Sequence, residues 1–125
     1  MNGLAGKIQE AELQVMRVLW EAGTPVALTD IRRILTERRD WDDSTTKTLL
    51  RRLQTKGVVR LEKRGVYAPI VTEAEYREWS TQALLDKLYQ GSAKQLIATL
   101  VSGGSLKDED IEELRAMLMG RDGDA

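Results

Sequence analysis

Apolar residues recur at helical spacing in three stretches of the N-terminal half of the chain. The first stretch, residues 9–22, ends at a Gly-Thr-Pro sequence, and the second begins at Leu28 and ends in polar residues before Trp41. The third runs to Lys56 and is followed by Gly57, which suits the left-handed backbone that closes many helices. The pattern therefore predicts three consecutive helices.

Two short runs rich in β-branched residues follow the third helix. Residues 58–61 and 66–70 flank the segment Glu62-Lys63-Arg64-Gly65, which predicts a hairpin with a cationic tip. Because two strands alone are only marginally stable, we expect this hairpin to pack on the helices.

After Thr72 the pattern is helical throughout. Residues 72–75 have the sequence of a capping box, which predicts a long helix to about Tyr89. Gly91-Ser92 then precedes a short apolar helix, and Gly103-Gly104 separates it from a last helix with an acidic first turn. The fold class expected is mainly α with a small β-hairpin.

The two faces of the third helix differ in composition. At about 100° per residue, Thr46, Leu49, Leu50 and Leu53 fall in one sector. The opposite side is rich in hydroxyl groups and positive charge, and the sequence from Ser44 to Lys56 contains no acidic residue. We call this side the basic face; it consists of Ser44, Thr45, Lys47, Thr48, Arg51, Arg52 and Thr55.

Composition excludes much enzymatic chemistry. The chain of 125 residues contains no cysteine and no histidine, so it has no thiol nucleophile, no histidine base and no zinc site built on these ligands. Asp42-Asp43 and Asp108-Glu109-Asp110 could bind a divalent cation, but both precede helices, where carboxylates are ordinary caps. We expect no enzyme, no metal and no cofactor. With neither a signal peptide nor a membrane-spanning run, a cytoplasmic protein without membrane insertion is expected.

The net charge of −1 conceals a strong segregation of charge along the chain. Residues 44–64 carry seven basic residues and one acidic residue, whereas residues 71–125 carry six basic and eleven acidic residues. A basic block of this kind is either a solvated surface or a binding surface for phosphate.

The order of the predicted elements favours the phosphate-binding interpretation. Three helices followed by a hairpin form the winged helix-turn-helix arrangement, whose third helix enters the DNA major groove. Arg51 could contact guanine or phosphate, and Lys47, Arg52, Lys63 and Arg64 suit phosphates. Arg52 could instead be a simple solvated side chain. A winged-helix module that binds another protein stays open as an alternative.

The hydroxyl and aromatic residues allow two interpretations each. Thr48 could touch a thymine methyl group or donate to phosphate, whereas Ser44 and Thr45 could serve the helix N-terminus instead. The three tryptophans, Trp20, Trp41 and Trp79, lie beside apolar helical patterns, which favours packing in the core over stacking on bases.

The chain resembles the BlaI/MecI family of penicillinase and methicillin-resistance repressors, which includes the copper-responsive CopY type. The resemblance covers residues 8–118. It rests on the stretches Ala11–Trp20, Trp41 with Ser44–Leu53, Lys56-Gly57, Gly91-Ser92 and Asp110–Leu114.

This resemblance implies a DNA-binding winged-helix domain over residues 1–71 and a helical dimerisation domain over residues 72–125. It implies a homodimer that represses transcription from a double-stranded inverted-repeat operator, contacted through the helix at 44–56 and the wing at 62–67. It adds Tyr67 to the wing contacts. The implied dimerisation residues are Leu84, Leu85, Leu88, Leu96, Ile97, Leu100, Val101, Ile111, Leu114 and Leu118.

The resemblance also implies induction by a protease of a membrane sensor system, with cleavage near Thr99-Leu100. The best-known members have Asn-Phe at that bond. The chain also lacks the cysteines of the copper-responsive branch, its wing is about two residues shorter than usual, and Thr46 stands where the family usually has Val. Ala27 and Lys107 replace the expected caps of the second and last helices.

Overall fold

A computed structural model of the chain describes residues 8–124, with side chains described as far as residue 120. These residues form six helices and three short strands, which confirms the mainly α fold class. In chain order the elements are α1 (Glu10–Ala22), β1 (Val26–Ala27), α2 (Leu28–Arg39), α3 (Asp43–Thr55), β2 (Val59–Lys63), β3 (Val66–Pro69), α4 (Glu73–Leu88), α5 (Ala93–Ser102) and α6 (Asp108–Asp124).

The sheet has one strand more than the predicted hairpin. The strand order is β1-β3-β2 with antiparallel pairing, and Tyr67 of β3 lies opposite Val26 on one side and Leu61 on the other. Strand β3 is therefore central rather than at an edge. The ladder continues into α2, because the amide of Leu28 donates to the carbonyl of Gly65 at 2.8 Å. That bond supplies an acceptor for the first amide of α2, where Ala27 offers no side-chain cap.

The core of the first part of the chain is formed by α1, α2, α3 and the sheet. Helix α1 packs against α2, α3 and β3, and the best-buried side chains include Met16, Leu19, Ile31 and Leu50. All three tryptophans are partly buried against this core, which confirms the packing interpretation. Trp20 is fixed at both ends of its side chain: its indole N–H donates to the carbonyl of Val71 at 2.9 Å, and its ring lies 5.6 Å from the ring of Tyr76.

The chain divides into two compact units, of which the first ends at Ala83 and the second begins at Leu84. The first unit includes the start of α4, whose Tyr76 and Trp79 pack against the core cluster. The second unit contains the end of α4 together with α5 and α6. Among its described apolar side chains, Leu85 is buried.

Side chains cap the C-terminal helices as their sequences predict. The hydroxyl of Thr72 accepts from the amide of Glu75 at 3.1 Å, and the Glu75 carboxylate accepts from the amide of Thr72 at 3.0 Å, which confirms the capping box. The hydroxyl of Ser92 accepts from the amide of Gln95 at 3.1 Å. Before α6, the carboxylate of Asp110 accepts from the amide of Lys107 at 3.0 Å, which is the half of a capping box that the first-turn residue supplies. Lys107 has no side-chain oxygen to supply the other half.

Candidate nucleic-acid interface

Helix α3 has a buried inner side, apolar except for Thr46, and an exposed outer side. Thr46, Leu49, Leu50 and Leu53 are its buried residues, as the periodicity predicts, and they face α1, α2 and β2. The basic face lies on the outer side, where all its residues are exposed except Thr45, which is half-buried. The sequence therefore predicted correctly which side of the helix is free for a partner.

The N-terminus of α3 is held by Asp42. One oxygen of its carboxylate, Oδ1, accepts from the amide of Thr45 at 2.9 Å, from the hydroxyl of Thr45 at 2.9 Å and from the hydroxyl of Ser44 at 2.8 Å. The backbone bond from Thr45, followed by the two hydroxyl bonds, lowers the pKa of Asp42 from its ordinary value of 3.8. Asp42 is thus the cap, and the Ser44 and Thr45 hydroxyls donate to it.

The basic residues of α3 have no competing carboxylates. Lys47, Arg51 and Arg52 are exposed, and none of them forms an ion pair with a carboxylate in the part of the chain that the structure describes. Guanidinium groups in this state keep all five N–H donors available, in a geometry that fits both phosphate oxygens and the edge of guanine.

The wing adds two further exposed cations, Lys63 and Arg64, at the turn between β2 and β3. Neither pairs with a carboxylate among the described residues, since the acidic residue of the wing, Glu62, pairs with Arg60. Gly65 forms the turn with φ of 73°, in the left-handed region that glycine adopts easily. Because the Gly65 carbonyl is bonded to the Leu28 amide, the wing tip is fixed to the start of α2.

Tyr67 does not belong to this exposed surface. Its side chain is 7% exposed and is part of the core cluster. The reason is the packing of β3 against α1: Tyr67, expected on an exposed wing, stands on the side of the sheet that belongs to the core cluster. We therefore remove Tyr67 from the residues proposed to contact DNA.

Sequence reasoning missed a contact at the other end of α3. Lys56, the residue that ends the helix, donates from Nζ to Oε1 of Glu12 in α1 at 2.5 Å. Glu12 is 1% exposed. A signal was present in the sequence, because Glu12 falls on the apolar side of α1, one turn before Val15 and Met16 and two turns before Leu19.

The apolar residues predicted for dimerisation are mostly on the surface of the second unit. Leu96 and Leu114 are half-buried and Leu85 is buried. The exposed members are Leu84, Leu88, Ile97, Leu100, Val101, Ile111 and Leu118. Several of them line one groove between α5 and α6, together with Leu106 and Met119.

The carboxylate clusters considered for a metal serve as helix caps or stand in first turns. Within residues 8–120, no group of three or more potential ligands is placed to hold a metal ion. No helix of the described residues is long and apolar enough to span a membrane.

Known repressors resemble this chain over almost its whole length. A family model described as Penicillinase repressor matches residues 8–120. An uncharacterized 16.5 kDa protein in the ptsI 3′ region of Latilactobacillus sakei is 36% identical over 118 residues, which cover 92% of this chain and 80% of that protein. The penicillinase repressor of Bacillus licheniformis is 30% identical over 115 residues, covering 90% of this chain and 89% of the relative.

A solved structure supports the winged-helix fold of the first unit. The solution structure of the DNA-binding domain of the repressor BlaI matches with a TM-score of 0.51 and 33% sequence identity, covering 56% of this chain and 88% of that domain. The resemblance noted in the sequence is confirmed: the chain belongs to the penicillinase repressor family, whose members are transcriptional repressors.

Proposed function

We propose that the chain is a homodimeric repressor that binds an inverted-repeat operator through the basic face of α3 and the wing tip. The observation that carries this proposal is the state of Lys47, Arg51 and Arg52. Three cations lie on the side of α3 opposite the core, with no carboxylate partner among the described residues. Such a surface is complementary to a polyanion.

The chemistry of the basic face suggests a division of roles. Arg51, on the outermost side of α3, is placed to donate two hydrogen bonds to the edge of a guanine in the major groove. Lys47 and Arg52, on its flanks, suit phosphates on either side of that groove. Lys63 and Arg64 of the wing suit the neighbouring backbone, where contacts set the orientation of the protein without reading sequence.

The second unit supports the dimeric part of the proposal. Its exposed apolar residues on α5 and α6 form a surface that a second copy of the chain would cover. Linking two winged-helix domains makes binding to the second half-site an intramolecular step, so a dimer binds its operator far more tightly than a monomer does.

Induction by proteolysis is the last part of the proposal. Thr99 and Leu100 are exposed and lie inside α5, where the hydroxyl of Thr99 donates to the carbonyl of Gln95 at 3.1 Å. Cleavage there would separate α6 from the rest of the chain and so remove part of the proposed dimer surface. A protease would reach this bond only if α5 unwound locally. Helix α5 ends at Ser102, before Gly103-Gly104, so fraying of its last turn would expose the bond between Thr99 and Leu100.

The decisive experiment compares binding to an operator duplex, selected from random sequences, with binding to an unrelated duplex across a range of salt concentrations. Arg51→Ala should weaken operator binding by about 1–3 kcal/mol and relax the preference at one base position. Lys63→Ala should weaken both duplexes alike and reduce the salt slope by about one. Arg77→Ala is the matched control, because this exposed arginine of α4 belongs to neither the basic face nor the wing tip.

Two results would contradict the proposal. Operator affinity that is the same for Arg51→Ala and Arg77→Ala would show that the basic face does not read DNA. Binding to both duplexes that is weak and insensitive to salt would instead favour a winged-helix module that binds another protein, because DNA binding releases counterions and depends steeply on salt.

A further inference from the structure

The contact between Glu12 and Lys56 joins the start of α1 to the end of α3. Oε1 of Glu12 accepts from the amide of Gln9 at 2.8 Å and from Nζ of Lys56 at 2.5 Å. The carboxylate is buried, with 2% of the side chain exposed, and the lysine side chain is 24% exposed. The two residues are 44 positions apart in sequence, so this bond is a tertiary contact.

Each charge also lies at the end of a helix that favours it. Glu12 is in the first turn of α1, where the helix dipole is positive, and Lys56 is at the C-cap of α3, where the dipole is negative. One contact thus complements both helix ends and links them. Helix α3 also packs against α1 through apolar side chains of the shared core cluster, and cores held by hydrophobic contacts alone lose a unique arrangement before they lose stability.

Stability alone is a weak explanation for this pair. Taking two charges out of water offsets much of their attraction, and apolar residues of similar volume often stabilise a protein as well or better. Oε2 of Glu12 has no hydrogen-bond partner among the described residues, so the desolvation of the carboxylate is only partly compensated. An apolar contact would fill this place at less cost, but it would not fix the two helix ends at one relative position.

We propose that Glu12 and Lys56 are positioning residues for DNA reading: their ion pair fixes α3 along α1 and so sets where the basic face meets the bases. This inference rests on the proposed function. Lys56 follows the last turn of α3, and Arg51 is little more than one turn before it. A small axial shift at Lys56 would therefore move the guanidinium of Arg51 relative to the base edge, whose bidentate contact tolerates little displacement.

The test removes both charges together, in Glu12→Met/Lys56→Met, so that no uncompensated charge stays buried. The readout is the ratio of operator affinity to affinity for an unrelated duplex, measured beside the unfolding transition by circular dichroism. We expect the ratio to fall about tenfold, the effect of one mismatched base pair. Lys56→Arg keeps the positive charge beside Glu12 and should retain more of the ratio than the double variant does. A merely structural pair would change the melting temperature and leave the ratio unchanged.

A second ion pair of α1 provides the control. Arg38 of α2 pairs with Glu21 at 2.8 Å, and both side chains are about half exposed. Glu21→Met/Arg38→Met should leave the ratio unchanged. Glu12→Gln keeps an acceptor for the Gln9 amide and nearly the same volume, so it tests the same contact if the double methionine variant does not fold.

The outcomes separate this inference from the proposed function. A folded double variant with an unchanged ratio would overturn the positioning role while leaving the repressor proposal intact. The positioning role would also be overturned if Lys56→Arg lowered the affinity ratio as much as the double variant does, because the charge of Lys56 would then not be what matters. If the unmodified chain does not distinguish its operator from unrelated DNA, both proposals fail.

Discussion

The two units of this chain place their apolar residues in opposite ways. In the first unit, helices and sheet enclose a core in which Val15, Met16, Ile31 and Leu50 are fully buried. In the second unit, apolar side chains of α5 and α6 stay on the surface, and Met117 still exposes 66% of its area. The first unit is closed around its own core, whereas the second is open.

This difference shows what each unit needs from outside. Burial of apolar surface is the main favourable contribution to folding, at roughly 25 cal/mol per Å². A short stretch of three helical segments has too little chain to bury its own apolar residues. Contiguous exposed apolar residues mark protein–protein contacts, which is why we propose that a second copy of the chain covers them.

The largest expected effect is the loss of the proposed dimer contact of the second unit, with the core of the first unit left intact. Leu100→Asp and Leu114→Asp each place a charge on the surface proposed to be buried in the dimer, where an unpaired carboxylate costs several kcal/mol. We expect the dimer dissociation constant to rise at least about 100-fold, measured by sedimentation equilibrium. Lys94→Asp is the control, because it adds the same residue at an exposed polar position of α5. If both leucine variants sediment as tight dimers, these helices do not form the interface.

The sequence predicted the closed unit in most of its detail. The periodicity gave the bounds of α1 and α3 within one residue and identified Thr46, Leu49, Leu50 and Leu53 as the buried side of α3. These predictions succeed because the buried side of an amphipathic helix is its apolar side, and the spacing of apolar residues in the sequence identifies that side.

The features that the sequence did not predict depend on contacts between distant residues. Strand β1 has two residues, too few to show an alternating pattern, and it exists because Val26 and Ala27 pair with β3. The burial of Tyr67 likewise depends on the packing of β3 against α1, which the local pattern of the wing does not show. The Glu12–Lys56 contact was missed for a similar reason: the position of Glu12 on the apolar side of α1 indicates a buried charge, but its partner is 44 residues away and is identified only by the tertiary fold.

A smaller effect on stability is expected at Thr46, in the core of the first unit. Thr46 is 1% exposed, and its hydroxyl has no hydrogen-bond partner among the described residues. The family usually has Val here, which fills the same space without a polar group. Thr46→Val should therefore raise the unfolding free energy by roughly 1 kcal/mol, measured by urea denaturation. Thr48→Val, on the exposed side of the same helix, has the same change in helix propensity and should stay within about 0.5 kcal/mol. Equal stability of the two variants would mean that the buried hydroxyl is satisfied.

The smallest expected effect concerns the exposed cap of α3 and depends on pH. Hydrogen bonds from Thr45 and Ser44 lower the pKa of Asp42 below 3.8, so its ionised form is favoured in the folded state. That contribution is complete above the unfolded-state pKa and is lost as pH falls through the lower, folded-state pKa. Asp42→Ala should thus melt at a lower temperature than Asp43→Ala at neutral pH, and the gap should close in strong acid. Asp43 is a matched control because it has the same charge, stands one residue later and does not bond the first-turn amides. A gap that persists below the pKa of Asp42 would show that the carboxylate's charge is not what stabilises the helix end, and that the protonated side chain accepts the hydrogen bonds of Thr45 and Ser44 equally well.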